Sequence, residues 1–277
     1  MRSLVSPILI LSLAAIGDGQ DAKGNRAEQL RAMRAIADSI TVEKTAQGAR
    51  VRLERLPEPV YRFDDPARQY SDGTVWAWGR SGRPVALLTL SRDRSPQEGL
   101  RWIAEFTSLE PGANLISATV PAFGTWKPSG AGVIIRRFPN ARVPAEDAPR
   151  RLRQMKELVQ QIKAYEYFRP NNQATRQRYE LRTLPQPLLR YADETSGLID
   201  GCLFSISYGL NPEVVLLLEA SREGSTEPAA WRYGFARIAI AEIHVELDGK
   251  EIWSHRGGYS RGPYDTYWTF AKPIEGE

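Results

Sequence analysis

The chain's two histidines, His244 and His255, lie close in sequence to three carboxylates, Glu242, Glu246 and Glu251. Two imidazoles and one carboxylate are a ligand set for Zn²⁺ or Fe²⁺ that leaves a coordination position open for water. The spacing offers a way to assemble that set. Ile243, Val245 and Leu247 alternate with Glu242, His244 and Glu246, as in a half-buried strand. Asp248-Gly249 is then a strong two-residue hairpin signal. In that register Leu247 faces Lys250, Glu246 faces Glu251, His244 faces Trp253 and Glu242 faces His255. All of Glu242, His244, Glu246, Glu251, Trp253 and His255 share one side of the ribbon. Glu242, His244 and His255 are therefore the candidate ligands of a divalent transition metal. The plainer reading is a solvent-facing polar strand, and it is the one we favour. Opposed glutamates are ordinary on an exposed sheet, and a one-residue slip in register scatters the set.

Other reaction chemistry finds little footing. The chain has no G-x-S-x-G elbow, no S-x-x-K, no H-E-x-x-H, no C-x-x-C, no Gly-rich phosphate loop and no EF-hand loop. No other cofactor is expected. The sole cysteine, Cys202, has no partner for an internal disulfide and reads as a buried, inert thiol.

The elements that must position these residues come in two sets. Residues 53–73 read LERLPEPVYRFDDPARQYSDG and residues 181–201 read LRTLPQPLLRYADETSGLIDG, identical at 8 of 21 positions. About one match is expected at average residue usage. Upstream, 30–40 (LRAMRAIADSI) matches 152–162 (LRQMKELVQQI), and downstream Trp102 and Phe106 match Trp231 and Phe235. A self-similarity this long is an internal repeat. It divides the chain into a unit at 25–140 and a second at 143–273. In each, apolar residues at spacings of three and four predict one amphipathic helix. Pro149 fits the first turn of the second helix. Short apolar runs with turn dipeptides follow, and Asp72-Gly73 and Asp200-Gly201 are read as two of those turns. The fold class expected is α+β: two tandem homologous units, each a helix packed on an antiparallel meander sheet. A single sheet merged across both units is the main alternative. Residues 266–270 are expected to close the sheet.

Arg62, Asp65, Arg190 and Asp193 recur in both units and are candidate ligand-binding residues, a charged pair at the centre of each. The structural reading is preferred: an Arg three residues from an Asp braces a loop through a charge-assisted hydrogen bond. Trp76 and Trp78 share a strand face and would stack on sugar rings if exposed. Phe204 and Ile206 stand at the matching places, and Ile stacks poorly, so both tryptophans are assigned to the core. The stretch 259–268 (YSRGPYDTYW) is either a recognition loop or a last strand packing its rings inward.

Arginine outnumbers lysine 30 to 7, but 33 acids are interspersed, the net charge is +4 and basic residues do not cluster, which argues against nucleic-acid binding. Residues 1–20 have the composition of an export signal: Arg2, an apolar run at 4–16, then Ala15, Gly17 and Gly19. No later segment is long and apolar enough to cross a membrane once that signal is removed. Export without disulfides suits a periplasm or cell surface.

The pattern P-x-P-x-x-R-[FY]-x-D with a later D-G, together with residues 191–218 (YADETSGLIDGCLFSISYGLNPEVVLLL), resembles a group of exported bacterial proteins of unknown function with an internally duplicated α+β unit. The resemblance spans most of the mature chain and implies export. It implies no activity. The expectation is therefore an exported protein, periplasmic, cell-surface or secreted, with a non-catalytic binding or structural role toward an unknown ligand or envelope component. A metal-dependent enzyme built on the 242–255 hairpin is the runner-up, and a carbohydrate binder using exposed aromatics is the third reading.

Overall fold

The computed structural model of the chain describes residues 18–65, 70–95, 99–121, 124–168, 176–222, 224 and 227–274. Residues 1–17 of the expected export segment lie outside them, and residues 18–20 already belong to the first helix, α1 (Asp18–Ser39). The stripe predicted from the sequence is the buried one: Met33, Ala37 and Ile40 are at most 4% exposed. It lands on β4 (Tyr70–Trp78), where Thr74 Oγ1 donates to Met33 Sδ at 3.1 Å. The second helix, α2 (Ala148–Val159), is capped by Asp147, whose carboxylate accepts from the Arg150 N–H at 2.8 Å. Pro149 occupies its first turn, where a missing N–H costs nothing. Met155, Leu158 and Val159 are its buried face.

Each helix covers an antiparallel meander. In the first half β3 (Tyr61–Asp65), β4, β5 (Ala86–Ser95) and β6 (Gly99–Ser108) pair in sequence order. In the second half β12 (Leu189–Asp193), β13 (Leu198–Tyr208), β14 (Asn211–Ser221) and β15 (Ala230–Arg237) do so. A ribbon flanks each meander. In the first half β1 (Thr41–Ala46) lies between β2 (Ala49–Leu53) and β7 (Ile116–Val120), with β8 (Gly124–Trp126) outermost. In the second β10 (Ile162–Phe168) lies between β11 (Gln177–Thr183) and β16 (Glu242–Leu247), with β17 (Lys250–His255) outermost. Arg55 bridges to Trp78, and Thr183, 128 residues further on, pairs with Ile206, also 128 further on. In the second half that link is long enough to fuse ribbon and meander into a nine-stranded sheet. In the first half they remain sheets of four and five strands.

The halves do not close on themselves. β9 (Arg136–Arg137), at the end of the first half, pairs with β15 of the second. β18 (Tyr267–Pro273), at the end of the second, pairs with β6 of the first along its whole length. The last strand, expected to close the sheet, therefore completes the other half's sheet, and no single sheet spans the molecule. The reason is visible where the two segments cross. Lys127 and Ser129 N–H groups donate to the Pro263 and Tyr264 carbonyls at 2.7 and 2.9 Å. Beyond the crossing, each segment delivers a ring to the opposite core. Trp268 stacks on Phe106 with centroids 6.0 Å apart, and Phe138 meets Tyr233 edge-on at 5.5 Å. An aromatic pair adds about 1 kcal/mol to simple burial.

The central meanders pack face to face. Val75, Ala77 and Leu87 share one buried cluster with Leu203, Val215 and Leu217. Strands covered on both faces have no polar side to alternate with, which is why 87–90 and 215–218 read as apolar runs. Across this interface Arg83 reaches Glu219 with two hydrogen bonds of 2.7 and 2.5 Å, and the Tyr191 hydroxyl donates to the same carboxylate at 2.9 Å. Glu219 is 1% exposed.

Asp72-Gly73 and Asp200-Gly201 are not turns. They lie inside β4 and β13, directly opposite Phe63 and Tyr191. A Cβ on Gly73 would sit 2.5 Å from the Phe63 ring, and one on Gly201 would sit 2.4 Å from the Tyr191 ring. Glycine is required there because an aromatic ring lies across the neighbouring strand. Trp76 and Trp78 are fully buried, in the core and away from any sugar. Among the described residues, no helix is long and apolar enough to cross a membrane.

Candidate functional site

The recurring charges meet, but with different partners from those the spacing suggested. Arg62 grips Asp72, not Asp65, through Nε at 2.7 Å and Nη2 at 2.5 Å, and the same Nη2 donates to the Arg26 carbonyl in α1. Arg190 grips Asp200, not Asp193, at 2.8 and 2.6 Å, and donates to the Ala148 carbonyl at the start of α2. An arginine and an aspartate ten residues apart along antiparallel neighbours are adjacent in space, whereas three residues along one strand they point apart. Burial pushes the Asp200 carboxyl up, but Arg190 and Arg151 outweigh it and hold it below the usual carboxylate range. Asp193 instead caps a short 3₁₀ turn, accepting from the Thr195 hydroxyl at 2.6 Å, and Asp65 is buried at the end of β3. Each Arg–Asp pair therefore ties a helix to the sheet beneath it.

Of the proposed metal ligands, Glu242 and His244 meet, but His255 does not join them. A bulge between Val245 and Glu246 shifts the hairpin by one residue, so His255 stands opposite Ile243 and Trp253 opposite Val245. That slip turns His255 and Trp253 away from the polar face. Trp253 now leans on Phe235, centroids 5.9 Å apart. His244 remains on the polar face between two carboxylates, Nδ1 2.6 Å from Glu251 and Nε2 3.2 Å from Glu242. Its ring stacks on Tyr165, which also carries the Arg178 guanidinium 3.6 Å from its ring centre. Burial lowers the His244 pKa, but Glu251 and Glu242 outweigh it and the net shift is upward. Among the described residues, no group of three or more His, Cys, Asp or Glu side chains is placed to hold a metal ion. Cys202 is fully buried, and its thiol is pushed up to about 12 by burial, which removes it as a nucleophile.

Open, polar-lined space is found elsewhere. A cleft of about 420 Å³ lies where the two crossing segments meet, lined by Arg237, His255, Arg256, Arg261, Tyr264 and Asp265 among others. Arg237, at the end of β15, lies half-buried over the Tyr267 ring, 4.3 Å from its centre, and donates to the Gly258 carbonyl at 2.9 Å. None of the described carboxylates forms an ion pair with it. His255 Nδ1 accepts from the Gly257 N–H at 2.9 Å, which puts the proton of the neutral ring on Nε2. Burial first, and the nearby Arg237 second, pull the His255 pKa down to about 4. Of the two readings of 259–268, a recognition loop or a last strand packing its rings inward, the strand is present from Tyr267 on and the residues before it form a surface loop. Tyr259 and Tyr264 are 76% and 66% exposed, whereas Tyr267 and Trp268 are buried. Arg237 was missed, because nothing in its local sequence shows that the chain's last strand will cross over beside it.

A second cleft of about 390 Å³ lies beside α2, between Lys156, Gln160, Thr183, Pro185 and the buried Phe204 ring. Compared with models of protein families, with curated proteins and with solved structures, the chain matches none.

Proposed function

We propose that this is an exported, non-catalytic binding protein built from two diverged copies of one α+β unit. The observation that carries the binding reading is Arg237: a half-buried cation without an acid partner among the described residues, at the floor of the cleft where the halves cross. The charges that recur in both halves, by contrast, are committed to holding helices on sheets. The 8 matches in 21 aligned residues support the copying, as does the same order of strand pairing in each half. The composition of residues 1–20 supports export.

The test is a thermal-shift screen of the mature chain against small molecules that include anionic, cationic and neutral members. The reading expects at least one saturable stabiliser, recovered chemically unchanged after incubation. No stabiliser of any charge class, or a ligand consumed in the tube, contradicts it. Export is tested separately, by fractionating cells that make the chain with and without residues 1–20.

A further inference from the structure

The crossing-point cleft has a chemistry of its own. A guanidinium withdrawn from water loses solvation that an acid partner normally returns. Arg237 has lost part of that solvation and keeps the Tyr267 ring face, the Gly258 carbonyl and a longer contact of 3.4 Å to His255 Nδ1, none of them anionic. These contacts hold the guanidinium in place without neutralising it. Two further arginines, Arg256 and Arg261, line the same cleft, as does His255, whose Nε2–H has no hydrogen-bond partner among the described residues. The one carboxylate in the lining is Asp265, and its Oδ2 already accepts from the Arg261 backbone N–H at 2.6 Å. Glu105, on β6 beside β18, is engaged by the Tyr267 hydroxyl. The charge facing the space is thus positive, and the donors are N–H groups with planar, forked geometry.

Resting on the binding reading above, we propose that this cleft takes the oxyanion of a small ligand, with Arg237 as its anchoring cation and His255 as the neighbouring donor. Guanidinium matches the paired oxygens of phosphate, sulfate and carboxylate. The volume of about 420 Å³ falls within the roughly 300–1,000 Å³ typical of small-molecule sites, so the anion is one end of a larger molecule. Tyr259 and Tyr264, exposed at 76% and 66%, offer ring faces to the rest of that molecule. Asp265, in the same lining, supplies an acceptor, which suits a ligand carrying a hydroxyl beside its charge.

Sodium sulfate is the probe, against sodium chloride of equal ionic strength, with acetate in parallel to separate tetrahedral from planar oxyanions. The ¹⁵N-labelled chain is followed by NMR. Saturable shifts are expected at the Gly257 and Gly258 amides and at the Arg237 side chain, with affinity about tenfold weaker in Arg237→Gln. That is the loss of about one charge-assisted hydrogen bond. If Arg237→Gln does not fold, His255→Gln and the exposed Arg261→Ser replace it, each expected to weaken sulfate about threefold. Shifts that grow linearly with salt, or saturable binding that these variants leave unchanged, overturn the proposal. A neutral or cationic stabiliser in the screen, with no sulfate binding, would leave the binding reading standing and remove the oxyanion.

Discussion

One place in the fold is filled in the first half and open in the second. Beside α1, Arg55 lies over Trp76, 4.5 Å from the ring centre, and pairs with Asp38. Arg34 spans the same groove, donating to the Pro57 carbonyl at 2.6 Å and pairing with Glu58 at 2.5 Å. At the matching positions of the second half stand Thr183, Phe204, Gln160, Lys156 and Gln186. There Lys156 makes a single bond of 3.1 Å to Gln186, and the cleft beside α2 lies open over Phe204. The frames match across this difference because the ties beneath each helix, Arg62–Asp72 and Arg190–Asp200, are present in both halves. Two halves with the same order of strand pairing can thus hold matching frames with a few matching ion pairs while the grooves around them differ.

The contact between the halves should be the most sensitive to mutation. Arg83→Ala leaves Glu219 buried without its cation and is expected to cost about 3–5 kcal/mol, the usual result of halving a buried ion pair. A loss below about 1 kcal/mol in urea unfolding would mean the halves are held by apolar burial alone. Next come the two ties. Arg62→Ala should cost about 3 kcal/mol and Arg190→Ala about half of that. Asp200 keeps Arg151, on α2, at 2.8 Å, while Arg26, on α1, stands 3.7 Å from Asp72. Because Asp200 titrates below its ordinary range, the stability it adds is present above about pH 4 and fades below it. Equal losses in the two variants would break the comparison.

The pH response should reside in the second half, which alone contains histidines. His255 has a folded pKa of about 4 against 6.5 when unfolded, so its neutral form is the one the fold accepts. Stability is therefore whole above about pH 6.5 and is lost as pH falls toward 4, by about 2 kcal/mol after allowing for the ring's partial exposure. His244, with its raised pKa, acts in the opposite sense and loses stability as pH rises. His255→Gln should flatten the acid-side fall in melting temperature; an unchanged profile contradicts the assignment. The smallest effect is a graft. Gln160→Asp, Thr183→Arg and Phe204→Trp together copy the first half's stack into the second, and should gain about 1 kcal/mol. A clear loss would show that the two grooves differ in backbone and not merely in side chains.

The sequence showed the helices, because Met33 and Met155 head stripes that only a helix brings to one face. It also showed both central apolar runs. It misplaced Asp72-Gly73 and Asp200-Gly201 as turns, because glycine under a cross-strand ring and glycine in a turn look alike until the partner strand is known. The hairpin register failed at one bulge, and with it the metal set. The cleft at Arg237 was illegible for a larger reason. It depends on two strands that leave their own half, and period and spacing carry no record of which sheet a strand joins.

Interstrand NOEs between residues at the exchanged edges decide whether the two halves trade their last strands. Contacts are expected between Ala104 and Phe270 and between Tyr233 and Arg136. Contacts between Tyr233 and Phe270 and between Ala104 and Arg136 would mean that each half keeps its own last strand, and the crossing, with the cleft it forms, would be wrong.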